Sequence, residues 1–264
     1  MSVHIMVFDS GIGGTTVLEQ IQALIPNADY SYFMDNAFLP YGAQTSQTII
    51  QRLLGLLHFI DTHALHVDIL VIACNTASTS ALDVIRHYTS IEVVGVVPAI
   101  KPACAISNMK HIGLLATPAT TKSKYTETLI LTHSQGTKVS LYASTKLVEI
   151  AETLFHSKKL LKAEFNEAMA ELAIADDIDV LVLGCTHFPL LAHAINNYYD
   201  KRVKLIDSGR AIANRVSSII TTQQLNLATD KKKPLHYYAT APISHQQLSV
   251  ELVTLIDQIP HGNY

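Results

Sequence analysis

The 264-residue chain is predicted to fold as an α/β protein with two similar α/β lobes, mostly parallel sheets and a functional site in the cleft between the lobes. Strand-like segments alternate with segments that have the three- and four-residue apolar spacing of helices, which is typical of parallel sheets covered on both faces. A short pattern that ends in cysteine occurs twice, which favours two related lobes. The general similarity of the two halves is too faint to prove a duplication.

The predicted strands are short runs rich in β-branched and aromatic residues. In chain order they cover residues 3–8, 30–34, 69–73, 93–97, 112–115, 139–142, 180–183, 203–206 and 235–238. Helices are predicted where apolar residues recur on one face, and examples are residues 15–25, 48–62, 77–88, 160–175 and 211–224. This many strands exceeds one small sheet, so we expect two sheets.

The chain is predicted to cross between the lobes twice. Residues 97–102, which contain two prolines, provide the first crossing, and residues 206–209 provide the return. The first lobe then comprises residues 1–97 plus 209–264, and the second comprises residues 98–208. No low-complexity linker is present, which fits two lobes on either side of a cleft better than two independent domains joined by a linker.

Composition excludes several classes of protein. Net charge is −3, and the longest basic run, residues 231–233, resembles a solvated turn, so we expect no nucleic-acid partner. No segment has the length of a membrane span, and the apolar N-terminus is too short for a signal core. Three cysteines without metal-ligand spacing indicate free thiols, no metal site and a cytoplasmic location.

The repeated pattern places two of the three cysteines at the carboxyl ends of buried strands. Asp68 begins one copy, which ends in Cys74, and Asp179 begins the other, which ends in Cys185. A free cysteine usually packs as a small apolar residue. Here the pairs that follow, Asn-Thr and Thr-His, can donate hydrogen bonds and would be costly in a dry core. Cys104, flanked by alanines, is expected to pack in the core.

Other strand ends also carry polar residues. The turn from Asp9 to Thr15 is rich in glycine and suited to holding an anion on its backbone N–H groups. A dinucleotide site is the competing interpretation, but Thr16 stands where its third glycine should be. After the second strand, Tyr41 is expected to point into the cleft, and several hydroxyls beginning at Thr117 follow the fifth strand.

Six residues are therefore expected to share one cleft, each one or two positions beyond a strand: Asp9, Asp35, Cys74, Thr117, Cys185 and Asp207. Two thiols on opposite faces of a small substrate would suit removal of an α-proton from one face and protonation on the other. A thiol needs a lowered pKa for this task, and His187 is the candidate that lowers the pKa of Cys185. Asp9 is the candidate that assists Cys74.

The chain resembles the bacterial glutamate racemases of the cofactor-independent aspartate/glutamate racemase superfamily. The resemblance runs from end to end and rests on segments 8–14, 40–42, 73–78 and 184–190. It implies interconversion of L- and D-glutamate, supply of D-glutamate for peptidoglycan, no cofactor and a homodimer. It also implies that Cys74 takes the proton from D-glutamate and Cys185 takes it from L-glutamate.

The resemblance further implies which residues bind the substrate. They are Asp9, Ser10, Pro40, Tyr41, Gly42, Asn75, Thr76, Thr117, Thr120, Thr186 and His187. Two segments depart from the usual family pattern: Ala116 replaces a common glycine, and residues 143–149 replace a stretch that commonly contains Cys-Pro. Glu149 keeps its expected place, which leaves a role for it in assisting His187.

Rival functions remain open at this point. An aspartate or broad-specificity racemase would use the same two thiols, although the opening Asp9-Ser10 segment favours glutamate. A hydrolase would use Cys185 as nucleophile and His187 as base, and would leave Cys74 without a role. A two-lobe amino-acid-binding protein would need neither thiol, and a pyridoxal enzyme would need a lysine, for which Lys122 is the candidate.

Overall fold

The computed structural model describes residues 2–227, 233–243 and 249–255. It contains ten strands, which are β1 (His4–Asp9), β2 (Asp29–Met34), β3 (Ile69–Ile72), β4 (Glu92–Gly95), β5 (His111–Ala116), β6 (Lys138–Ala143), β7 (Val180–Leu183), β8 (Lys204–Ile206), β9 (His236–Ala239) and β10 (Val250–Leu252). The nine predicted strands are all present, with ends shifted by no more than two residues. The mixed α/β class is therefore confirmed.

Helices occupy most of the connections between strands. They are α1 (Thr15–Leu24), α2 (Ser46–Thr62), α3 (Asn75–His87), α4 (Ile100–Ile106), α5 (Pro118–Thr121), α6 (Lys124–His133), α7 (Lys146–Ser157), α8 (Lys162–Glu171), α9 (Ala192–Tyr198) and α10 (Gly209–Thr222). Short 3-10 helices cover Asn36–Phe38, Tyr41–Ala43 and Phe188–Leu191. In the described part of the chain, no helix is long and apolar enough to span a membrane.

The strands form two sheets in which every pair is parallel. The larger sheet has the order β10-β9-β2-β1-β3-β4, and the smaller has the order β6-β5-β7-β8. The order β2-β1-β3-β4 is therefore repeated as β6-β5-β7-β8. The two cysteine patterns occupy β3 and β7, which are equivalent positions in this repeated order.

Backbone contacts at these equivalent strands also match. The amide of Ala73 donates to the carbonyl of Phe8 at 2.8 Å, and the amide of Gly184 donates to the carbonyl of Leu115 at the same distance. Each contact joins the end of a cysteine-bearing strand to the strand beside it. Each cysteine therefore follows directly after the residue that makes this contact, at the equivalent position of its own sheet.

Alternating side chains of the larger sheet bury two separate apolar layers. Val7 and the other side chains on its face of the sheet pack on α1 and α10. Phe8 and the other side chains on the opposite face pack on α2 and α3. In the smaller sheet, Leu183 belongs to a layer shared with α7 and α8, and Val182 belongs to a layer shared with α4. Burial on both faces explains why these strands are continuous apolar runs.

The two crossings lie side by side. The Ser208 hydroxyl donates to the carbonyl of Val97 at 2.5 Å, so the outgoing and returning segments are joined. Residues 209–222 then form α10 against α1, in the lobe that contains the larger sheet. The lobe boundaries at residues 97 and 209 stay a prediction.

Several elements differ from the sequence predictions. β10 was not predicted, because it has three residues and two of them are exposed. The helix predicted over 160–175 is shorter, as α8 ends at Glu171 and Ala173 has a positive φ of 45°. Residues 231 and 232 of the basic run lie outside the described residues, while Lys233 pairs with Asp29 at 2.6 Å.

Candidate functional site

The candidate site lies at the carboxyl ends of neighbouring parallel strands whose connecting segments leave in opposite directions. In the larger sheet this point falls between β1, which Ser10 follows directly, and β3, which ends two residues before Cys74. In the smaller sheet it falls between β5, which Thr117 follows directly, and β7, which ends two residues before Cys185. Open α/β sheets bind ligands in the crevice at such points. The repeated topology therefore supplies two half-sites, each with one thiol.

Cys74 is buried and precedes the first residue of α3. Burial and the charge of Asp9 raise the pKa of its thiol well above the usual value. The amide of Ala77 and the hydroxyl of Ser10 donate hydrogen bonds to the sulfur and oppose this shift. A negative charge on Cys185 raises the Cys74 pKa further, so the two thiols lie within electrostatic range of each other.

Cys185 is also buried, and it contacts a buried histidine. Its Sγ lies 3.7 Å from His187 Nδ1, and His187 Nε2 lies 2.7 Å from Oε1 of Glu152. Burial alone would lower the pKa of His187, but its hydrogen bonds to Cys185 and Glu152 raise this pKa well above the usual value. The Cys185 sulfur therefore faces a histidine whose pKa is raised, which is the kind of neighbour that activates a catalytic thiol.

Asp9 joins the two half-sites. Its Oδ2 accepts a hydrogen bond of 2.8 Å from the Thr186 hydroxyl, which comes from the smaller sheet. Burial raises the pKa of Asp9, and the nearby charge of His187 opposes the shift. A carboxyl with a raised pKa accepts a proton more readily than an ordinary aspartate.

The glycine-rich turn after β1 uses two of its backbone N–H groups within the protein. The amide of Gly11 donates to Asp9 at 2.9 Å, and the amide of Ile12 donates to Glu152 at 3.0 Å. These two N–H groups are therefore taken by the protein's own carboxylates, and the expectation that the turn holds a ligand anion stays a prediction. The glycines also allow close approach: a Cβ on Gly13 would lie 2.5 Å from His187 Nδ1.

Hydroxyls from both lobes meet on the other side of the cleft. Thr76 Oγ1 lies 2.9 Å from Thr117 Oγ1 and 3.1 Å from Thr120 Oγ1. Gly42 packs directly against Thr117, since a Cβ there would lie 2.7 Å from the threonine Cβ. Asn75 is buried beside this group, and its Oδ1 has no hydrogen-bond partner. The site thus offers hydroxyl donors and one unused amide acceptor.

Two of the residues expected in the cleft lie elsewhere. Asp35 is buried in an ion pair with Arg52, whose Nε and Nη2 donate to its two oxygens at 2.8 and 2.7 Å. Asp207 is exposed and accepts a hydrogen bond of 2.7 Å from the Gly209 amide at the start of α10. Both aspartates are therefore used for local structure.

Tyr41 also differs from expectation. Its side chain is buried, and its hydroxyl donates to Asp35 at 2.6 Å instead of pointing into the cleft. The residue lies in a short 3-10 helix that follows the cis peptide bond between Leu39 and Pro40. The contacts of Asp35 with Tyr41 and Arg52 therefore fix the segment that brings Gly42 to Thr117. Whether Pro40 and Tyr41 contact a substrate stays a prediction.

Glu152 performs the role that was considered for Glu149. Glu149 is 60% exposed and lies near Lys146, whereas Glu152 is 14% exposed and contacts His187. Hydrogen bonding to His187 outweighs the effect of burial and lowers the pKa of Glu152. Glu152 and Arg52 were missed by the sequence reasoning. For both residues the available sequence signal was the same: a charged side chain stands on the face of a helix where the apolar spacing predicts an apolar one.

The described residues contain no group of three or more His, Cys, Asp or Glu side chains arranged to hold a metal ion. The three cysteines are free and buried. Cys104 lies in an apolar layer with Ala103 and Ile112, so the expectation that it packs in the core is confirmed. The polar groups of the site are thus two thiols, a histidine, carboxylates and hydroxyls.

Comparison with known proteins agrees with this arrangement. Residues 14–216 match the family described as Asp/Glu/Hydantoin racemase. The chain is 47% identical to the glutamate racemase of Shewanella frigidimarina over 225 residues, which cover 84% of this chain and 85% of the relative.

Solved structures show the same two-lobe fold. Escherichia coli glutamate racemase, in complex with L-glutamate and the activator UDP-MurNAc-Ala, superposes with a TM-score of 0.83 at 33% identity, covering 92% of this chain and 91% of that chain. The Francisella tularensis enzyme in complex with D-glutamate has a TM-score of 0.77 at 28% identity, covering 96% and 98%. The chain therefore belongs to the Asp/Glu/hydantoin racemase family and, within it, to the glutamate racemases, which makes it an isomerase.

Proposed function

We propose that the protein interconverts L- and D-glutamate by moving the α-proton between two cysteines. The observation that carries this proposal is the placement of Cys74 and Cys185 at equivalent strand ends of the repeated topology. Each thiol has its own acid–base neighbour, Asp9 for Cys74 and His187 for Cys185. A base and an acid on opposite sides of one carbon are what a cofactor-free racemisation requires.

The proposed roles of the two thiols follow the direction of the reaction. With D-glutamate, Cys74 removes the α-proton and Cys185 supplies a proton to the opposite face. With L-glutamate, Cys185 is the base and Cys74 is the acid. The His187 imidazolium stabilises the Cys185 thiolate, and Asp9 receives the proton of Cys74 when that thiol must act as a base.

Substrate binding is proposed to use the polar groups between the thiols. Hydroxyls of Thr76, Thr117 and Thr120 can donate to carboxylate oxygens, and the unpartnered Oδ1 of Asn75 can accept from an ammonium group. The hydroxyl oxygens of Ser10 and Thr186, which donate within the protein, can also accept from the substrate. A bound ammonium beside Cys74 would favour its thiolate and offset the effect of Asp9. The complexes of relatives with L-glutamate and with D-glutamate support glutamate as the ligand.

The substrate is tested by turnover. The purified protein, without added cofactor, is incubated separately with L-glutamate and L-aspartate, and products are separated by chiral chromatography. We expect D-glutamate to form from L-glutamate at least about tenfold faster than D-aspartate forms from L-aspartate, because one methylene in a fitted site discriminates by this amount or more. Production of D-aspartate alone would assign the sister specificity.

We further propose a cytoplasmic homodimer that supplies D-glutamate for peptidoglycan. Three buried free thiols suit a reducing compartment. The Escherichia coli relative is described with an activator that carries a UDP-MurNAc group, which links that enzyme to cell-wall precursors. The homodimer rests on the family resemblance.

Glu152→Gln is expected to lower the pKa of His187, because it removes the charge of a carboxylate that raises this pKa. The imidazolium is then lost at lower pH than in the wild type. The alkaline limb of kcat for L-glutamate should therefore move to lower pH, with kcat reduced by about tenfold or more. Glu149→Gln is the matched control, because Glu149 lies exposed on the same helix. An unchanged pH profile in Glu152→Gln would contradict the assignment.

Gly13→Ala is expected to displace His187, since the added Cβ would lie 2.5 Å from Nδ1 and 2.7 Å from Thr186 Oγ1. We expect kcat to fall by about tenfold or more, with a stability loss of about 1–3 kcal/mol from overpacking. Gly136→Ala is the control: Gly136 has a φ of +82° and no neighbour within 4 Å of a Cβ, so this change should lower stability without changing kcat. Wild-type kcat in Gly13→Ala would show that the close approach is unimportant.

A further inference from the structure

Thr16, which stands where a dinucleotide-binding turn would have its third glycine, contacts the opposite half-site. Its Oγ1 lies 2.9 Å from the carbonyl oxygen of Gly13 and 3.1 Å from the carbonyl oxygen of Thr186. One donor can be shared between two carbonyls in a three-centre hydrogen bond. Thr16 lies in the first turn of α1, beside the larger sheet, whereas Thr186 follows β7 of the smaller sheet. The contact therefore joins the layer of α1 to the segment that carries Cys185.

The Thr186 carbonyl lacks a local partner because of a proline. The carbonyls of Cys185 and His187, on either side of it, each accept from the backbone amide three residues further along the chain. The residue that would serve Thr186 in the same way is Pro189, which has no N–H. Among the described residues, the Thr16 hydroxyl is the one donor to this carbonyl. Thr186 is buried, where an unpaired carbonyl is costly.

The turn at the other cysteine is completed differently. Asn75, which follows Cys74, is the first residue of α3, and the carbonyl of such a residue accepts from the amide four residues further along the helix. After Cys185 the chain forms a short 3-10 helix that begins at Phe188, so Thr186 lies outside it. The turn at Cys185 depends instead on a donor from the layer beside the other sheet.

Thr186 is held at two points by residues on the side of the larger sheet. Its carbonyl accepts from Thr16, and its hydroxyl donates to Oδ2 of Asp9 at 2.8 Å. The residues before and after it are Cys185 and His187, whose Sγ and Nδ1 lie 3.7 Å apart. A shift of Thr186 would therefore carry the thiol with it. Reaction rates fall steeply when a catalytic group is displaced from the reacting atom.

We infer that Thr16 is a positioning residue, whose hydroxyl fixes the Cys185 thiol opposite Cys74 by pairing with the Thr186 carbonyl. This inference rests on the two-thiol function proposed above. Thr16 acts through Thr186 and takes no part in the proton transfers. If the hydroxyl is removed, the Gly13 carbonyl keeps the Thr16 amide as a donor at 3.1 Å, so the first turn of α1 persists. The Thr186 carbonyl keeps no such donor.

Thr16→Val tests the inference, because it removes the hydroxyl and keeps the shape of the side chain. Thr15→Val is the matched control: the Thr15 hydroxyl donates at 2.7 Å to the carbonyl of Ile12, within its own turn. Both threonines are half-buried, and each amide also donates to the carbonyl three residues earlier. We expect kcat/KM to fall about tenfold in Thr16→Val, equally for both enantiomers because they have equal free energies. Thr16→Ser, which keeps the hydroxyl, should restore kcat/KM, and Thr15→Val should leave it unchanged.

Isotope effects identify which proton transfer is slowed. In the proposed mechanism, Cys185 removes the deuteron from L-glutamate deuterated at Cα, and Cys74 removes it from the D-enantiomer. If Cys185 is displaced, its transfer limits the rate more strongly in both directions. The deuterium isotope effect on kcat/KM should therefore rise for L-glutamate and fall towards unity for D-glutamate. A general loss of structure would not move the two isotope effects in opposite directions.

Hydrogen exchange gives a readout that needs no turnover. Peptides that cover residues 184–190 should exchange about fivefold faster in Thr16→Val, as expected for one lost hydrogen bond, and at the wild-type rate in Thr15→Val. Unchanged exchange or kcat/KM in Thr16→Val, no recovery in Thr16→Ser, or isotope effects that move in parallel would each overturn the inference. A wild-type protein that does not racemise glutamate would refute the proposed function instead, and hydrogen exchange would still decide whether Thr16 fixes this turn.

Discussion

Cys74→Ser and Cys185→Ser are each expected to abolish racemisation of glutamate. A serine hydroxyl has a far higher pKa than a thiol and cannot serve as the base at neutral pH. Loss of either group breaks both directions, because each thiol is the base in one direction and the acid in the other. We expect kcat to fall by about 10³-fold or more in each variant, measured by chiral chromatography.

Cys104→Ser is the matched control for these variants. Cys104 is equally buried but lies in the apolar layer with Ala103 and Ile112, away from the acid–base groups. The added hydroxyl should lower stability by about 1–3 kcal/mol without changing kcat. If either Cys74→Ser or Cys185→Ser kept more than about a tenth of the activity, the two-thiol mechanism would be wrong.

Arg52→Met is expected to destabilise the protein by about 3–5 kcal/mol, because it leaves the buried carboxylate of Asp35 without its charged partner. Asp35 would retain only the hydroxyls of Tyr41 and Thr240 as hydrogen-bond donors from side chains described here. The segment that carries Gly42 should loosen as a result. Urea unfolding followed by circular dichroism measures the free-energy difference.

Two further variants make this result specific. The double variant Arg52→Met/Asp35→Asn should recover part of the loss, since no buried charge then remains. Lys146→Met removes a cation that lies near Glu149 and Glu164 at the surface, and should cost less than about 1 kcal/mol. A loss below about 1 kcal/mol in Arg52→Met would contradict the importance of the buried pair.

Most of the framework could be predicted because it depends on local patterns. β7 was predicted with its observed bounds, since four apolar residues stand between Asp179 and Gly184. The thiols were correctly placed at strand ends for the same reason. β10 could not be found in this way, because a three-residue edge strand with exposed positions carries little apolar signal.

The groups that support the thiols depend on contacts between distant segments. Glu152 meets the amide of Ile12, which lies 140 residues away in sequence, and the choice between Glu149 and Glu152 depends on how α7 faces that turn. Similarly, Arg52 neutralises Asp35 only because α2 packs over the end of β2. Local sequence identifies these residues as charged, but it does not contain their partners.

The most direct test of the two-thiol mechanism is the position of deuterium early in a reaction run in D2O. The wild-type protein is incubated with L-glutamate, and both enantiomers are analysed by mass spectrometry before much product has formed. Because the acid that protonates the product has exchanged with solvent, the mechanism predicts deuterium at Cα of D-glutamate and none in the remaining L-glutamate. Deuterium entering the remaining L-glutamate as fast as the product, or product that keeps its original hydrogen, would show that a single base serves both faces.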